Sequence, residues 1–190
     1  MARSLISKYS PHLETVSNQI FCARDLVAFG LALEVAMQYG GAVELDFERP
    51  EGASYNPRPA RVALILIKDA GIKKPSVIAA ALLASLDVDT FCKTDLSNKF
   101  EKDIIELASR SYENIVSLGR EDSEISQQAS LVAASHWFDR VRHLHQSPNL
   151  ELRRTLYEAT KPYIELTAPI NPRLSELLDA WYKRFERLLP

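Results

Sequence analysis

The residues best placed to do chemistry sit in one short stretch. Asp139 lies three residues after His136 and four before His143, so on a helix all three share a face. A carboxylate between two imidazoles at that spacing could hold a metal ion or move a proton. A polar helix face is the favoured reading, because no ligand from a second helix can be named to complete a metal site. His145 lies just beyond. Arg140 and Arg142 flank Asp139, and Arg58 and Arg61 form a second arginine pair at helical spacing. Guanidinium forks of this kind grip phosphate in pairs, and the alternative is a set of solvated or ion-paired arginines. Asp87-Val88-Asp89 lacks the glycine and terminal glutamate of a calcium loop and reads as a loop cap. Phosphate-loop, dinucleotide, nucleophile-elbow and HExxH motifs are missing from the sequence.

These residues need helices to position them, and the periodicity is helical nearly throughout. Apolar residues recur at three- and four-residue steps over Ile20 to Tyr39, ending at Gly40-Gly41. Glu48 to Pro59 is rich in proline and reads as a loop. Pro59 opens a helix to about Ala70, stopped by Gly71, and Pro75 opens an apolar, buried helix over Ser76 to Leu86. Asp87 to Thr94 reads as a loop, Asp95 to Ser111 as an amphipathic helix, and Gly119 to Ser126 as a link. A long helix follows over Gln127 to about His145. Asn149 caps another through Leu166, and Asn171-Pro172 opens the last, which ends near Leu189. The expectation is a single all-α domain over 1–190, with about seven or eight helices and no strand. Residues 1–20 are expected to extend the bundle or to mediate dimerisation.

Composition narrows the partners. The chain has 190 residues, 46% hydrophobic and 25% charged, enough to bury one core. A net charge of -2 without a basic block argues against nucleic acid or an anionic membrane as partner. The longest apolar runs are too short to span a bilayer. Cys22 and Cys92 form no CxxC pair and read as reduced thiols of a cytoplasmic protein.

Three stretches carry a resemblance. Pro50 to Ala63, with Pro50-Glu51-Gly52, Tyr55 and Arg58-Pro59, is similar to a (P)EG-x-x-Y-x-x-H-P-x-x-V-A pattern. Ala79 to Thr90 is similar to AAALLHDxxEDT, and Trp137 to Leu144 to LADRLHNL. In order and spacing they resemble the HD domain of the RelA/SpoT family of (p)ppGpp hydrolases, including its small stand-alone members, over roughly residues 20–190. The tail from Asn149 to Leu189 resembles that family's closing helices.

The resemblance implies an HD-domain helical bundle, and it also implies what has been lost. The family holds a divalent cation, usually manganese, with a histidine, an adjacent His-Asp pair and a later aspartate. Those positions fall on Arg58, Ala84, Ser85 and Asp139, so only Asp139 keeps a ligand type. The acidic pair that orients water falls on Val88 and Asp89, the basic nucleotide-contacting residues fall near Phe47 and Glu48, and the asparagine of the third motif falls on His143. Arginine only donates, so no metal and no cofactor are expected. An Arg58–Asp139 ion pair is expected in place of the cation, with Trp137 and Phe138 filling the emptied space.

The functional expectation is a catalytically inactive pseudo-hydrolase that binds a guanosine nucleotide or other phosphorylated ligand through Arg58, Arg61, Arg140, Arg142 and His143. Two alternatives stand beside it. One is a module that binds a protein partner or a second copy of itself, with a filled pocket. The other is an active phosphohydrolase rebuilt around Asp139 and the nearby histidines.

Overall fold

A computed structural model describes residues 4–39, 56–86, 96–116 and 123–189. Among them every regular element is a helix, in agreement with the all-α expectation. Two short helices come first, α1 (Leu5–Tyr9) and α2 (Pro11–Ser17), then α3 (Ala23–Tyr39). Helix α4 (Arg58–Leu64) runs on as a π-helix over Ile65–Asp69, and α5 (Pro75–Leu83) follows. A 3₁₀ turn, Leu96–Asn98, precedes α6 (Lys102–Val116) and α7 (Glu124–Val141). A second such turn, Leu144–Gln146, leads to α8 (Leu150–Glu158), α9 (Lys161–Thr167) and α10 (Pro172–Glu186).

Helices α1 and α2 pack into the bundle. Ile6 and Leu13 are fully buried in the common core. Ser10 caps α2 by accepting from the Leu13 amide at 3.1 Å, and its hydroxyl donates to Asn56 Oδ1 at 2.6 Å. This ties the N-terminal hairpin to the residues that lead into α4. Gly30 on α3 is needed for close approach, since a Cβ there would lie 2.8 Å from the Leu5 Cβ.

Helix α5 is the centre of the packing. All seven residues from Val77 to Leu83 are buried, which explains a run with neither charge nor periodicity. It packs against α3, α4, α6 and α7. Helix α7 is also buried around most of its surface, and its small residues Ala129, Ser130, Ala133 and Ala134 let α6 come close. Ser123 caps α7 by accepting from the Ser126 amide, so this helix starts earlier than expected, inside the predicted link.

Other predicted boundaries move too: the helix expected over Asp95 to Ser111 is a 3₁₀ turn at Leu96–Asn98 followed by a helix over Lys102–Val116. The helix before Gly71 widens into a π turn, with the Ala70 amide bonded to the Ile65 carbonyl at 2.9 Å. Such bulges favour functional positions. Gly71 then ends it at φ 73°, and Asn171 and Arg173 donate to the exposed carbonyls of Ala70 and Lys68 at 2.9 and 3.1 Å. The helix predicted from Asn149 to Leu166 divides into α8 and α9. Pro162 brings no amide proton and opens the second piece. The long central helix stops at Val141 rather than near His145. The predicted stop at Gly40-Gly41, the loop at Asp87 to Thr94 and most of the Glu48 to Pro59 loop lie outside the described residues. No helix among the described residues is long and apolar enough to cross a membrane.

Candidate functional site

Helices α4, α5 and α7 meet where the described parts of the three quoted motifs come together. Arg58 and Arg61 lie on α4, Ala84 and Ser85 directly follow α5, and His136 and Asp139 lie on α7. Arg142 follows α7 by one residue. Each helix reaches this point for a local reason: Pro59 seats the first turn of α4, Pro75 that of α5, and Ser123 caps α7.

Asp139 has no exposed surface. The guanidinium of Arg61 meets it as a fork, Nε donating to Oδ1 at 2.9 Å and Nη2 to Oδ2 at 2.8 Å. Its remaining nitrogen, Nη1, donates to the Asn56 carbonyl at 2.7 Å. A second arginine closes the other side, with Arg142 Nη2 donating to Oδ1 at 2.7 Å. Arg61, one turn beyond Arg58, is therefore an arginine that grips Asp139. Such a buried carboxylate is tolerated only because charged donors surround it.

His136, one turn before Asp139, is 1% exposed. Burial lowers its pKa to about 3, and Arg58 and Arg61 push in the same direction. Asp139 and a hydrogen bond with the Ala81 backbone oppose that shift without cancelling it. The imidazole is therefore neutral at physiological pH. Its Nε2, the Ser85 hydroxyl and Arg142 Nε are buried with no hydrogen-bond partner among the described residues.

The expected arginine set does not gather as one group. Arg61 and Arg142 converge on Asp139, and Arg58 acts on His136. Arg140 points elsewhere, its guanidinium 5.3 Å from the centre of the Trp137 ring. Trp137 serves α9 instead of filling space beside Asp139. It stacks on Tyr163 with ring centroids 4.6 Å apart, and its Nε1 donates to Thr160 Oγ1 at 2.9 Å. His143 follows the end of α7, so the helical spacing that would align it with His136 does not reach it. Its ring lies 6.4 Å from that of His145. Phe47, Glu48, Val88 and Asp89 lie outside the described residues.

These side chains do not fit a catalytic manganese ion. Ala84 has no donor atom, Arg58 repels a cation, and the oxygens of Asp139 are held by two guanidinium groups. Among the described residues no three histidine, cysteine, aspartate or glutamate side chains are grouped to hold a metal.

No family model, curated protein or solved structure matches the chain. The functional argument accordingly rests on this cluster. What sequence reading missed is the register. The spacing of Asp139 and Arg142 already allowed a contact within one turn, whereas the choice between Arg58 and Arg61 depends on how α4 faces α7.

Proposed function

We propose that the chain is a catalytically inactive HD-domain relative of the RelA/SpoT hydrolases that acts as a binding or regulatory module for a phosphorylated ligand, a guanosine nucleotide being the first candidate. The observation that carries this reading is the clamp on Asp139. The one carboxylate matching a metal ligand is buried and bonded to Arg61 and Arg142. A general base or metal ligand needs lone pairs that this arrangement has already committed. Binding is supported by the unmet polar atoms of Ser85, His136 and Arg142 around the same cluster, since buried polar groups normally have partners.

Calorimetric titration with ppGpp, GDP and GTP, with and without manganese, tests this. The expected result is metal-independent binding, weakened by Arg58→Ala, with no pyrophosphate released. Absence of heat with every nucleotide would remove the ligand reading, and manganese-dependent release of pyrophosphate would restore the hydrolase.

A further inference from the structure

The C-terminal helices carry a second feature, remote from Asp139. A cleft of about 600 Å³ lies between α8 and the end of α10, lined by Leu150, Glu151, Tyr157, Glu186 and Leu189 among others. Its apolar part is substantial. Leu150 is 54% exposed, and Tyr157 is held by stacking on Tyr182 at 4.1 Å between centroids. At the rim Arg154 pairs with Glu158 at 3.0 Å, whereas Glu151 and Glu186 have no ion pair among the described residues.

The complementary chemistry is on the same chain. Arg184 lies in the last turn of α10, and Arg187 and Leu188 follow directly after the helix ends at Glu186. Both arginines are exposed and without an ion pair among the described residues, and Leu188 is 51% exposed. The end of α10 thus offers two exposed cations beside an exposed leucine, and the cleft offers the carboxylates of Glu151 and Glu186 beside Leu150, with Glu186 also against the Tyr157 hydroxyl.

We infer that a second copy of this chain docks by seating its Arg184, Arg187 and Leu188 in the Glu151–Glu186 cleft. The contact is head to tail, because the two surfaces differ. The exposed leucines give the apolar centre, and the charges set orientation and specificity. This does not depend on the nucleotide reading, since none of these residues belongs to the Asp139 cluster.

Sedimentation equilibrium of the full chain tests it directly, over about 1 μM to 1 mM protein, the range of weak dissociation constants. The average mass should rise above that of one chain with concentration, and high salt should reverse the rise. Two charge-reversed proteins, E151R/E186R and R184E/R187E, should each stay monomeric while keeping the wild-type helical circular dichroism. Mixing them should restore association, because each reversed surface then meets its opposite. A wild type that stays monomeric over the whole range overturns the proposal. So does self-association that is insensitive to salt, or a mixture that stays monomeric. If a reversed protein fails to fold, the salt dependence of the unaltered chain decides alone.

Discussion

Arg61 closes on Asp139 across the interface of α4 and α7, two nitrogens on two oxygens, with a side chain 12% exposed against a carboxylate that is fully buried. Seventy-eight residues separate them in sequence, so the pair fastens two of the motifs that resemblance brings together. A planar fork suits this geometry in a way that lysine does not. Because Arg61 also donates to the Asn56 carbonyl, it holds the entry to α4 in the same conformation.

Removing one partner of this pair should be costly. Arg61→Met leaves a buried carboxylate short of its strongest partner, and a loss of about 3–5 kcal/mol is expected. Arg142 is more exposed, at 28%, so Arg142→Met should cost less, about 1.5–3 kcal/mol for a hydrogen bond to a charged group. The double change Arg61→Met with Asp139→Leu should recover much of the first loss. Urea unfolding of the variants reads all three values. An Arg61→Met protein as stable as the wild type would contradict the ranking.

His136 predicts the behaviour in acid. In the unfolded chain an imidazole takes a proton near pH 6.5, whereas in the fold His136 does so only near about 3. Between those values the unfolded state binds more protons. Stability therefore falls as pH drops through this window, by up to about 1.4 kcal/mol per unit. Carboxylates add their own acid dependence, so the comparison that matters is with His136→Leu. That variant should show a shallower loss between pH 6 and 4 in urea midpoints, and an unchanged slope would remove the assignment to His136.

Gly71 supplies a third prediction. Its φ of 73° is unfavourable for any residue with a Cβ, and a Cβ there would lie 2.6 Å from Arg173 Nη1. The Arg173 tip is flexible and can move, at the loss of its bond to the Lys68 carbonyl. Gly71→Ala should therefore cost about 1–2 kcal/mol, mainly from the left-handed backbone. Thermal unfolding monitored by circular dichroism gives the value, and a variant that melts at the wild-type temperature would refute it.

The helical frame was readable because its signals are local. Pro59, Pro75, Asn149 and Asn171 open helices within a residue or two of where the sequence placed them, and Gly71 stops one. The gaps arose where tertiary contacts decide. Nothing local distinguishes the π turn at Ile65–Asp69 from ordinary helix, since its open carbonyls are satisfied by Asn171 and Arg173 a hundred residues later. The site divides in the same way. That Asp139 would have a cationic partner was an expectation drawn from the resemblance and the ligand types missing from it. Which guanidinium would supply it depended on the rotation of α4. Trp137 could be read as filling space, but its indole N–H finds Thr160 on α9, and a buried indole tends to turn where its proton has an acceptor.

Manganese itself gives the most direct test of the proposal that Arg61 and Arg142 do for Asp139 what a cation does in the HD hydrolases the sequence resembles. Melting temperatures should be measured for the wild type across a manganese series, with pyrophosphate release from ppGpp followed in the same samples. A ligand that binds only the folded state raises its stability with concentration. The account predicts no manganese-dependent rise in melting temperature and no pyrophosphate. A saturable rise accompanied by turnover would mean that Asp139 serves a metal, and would contradict it.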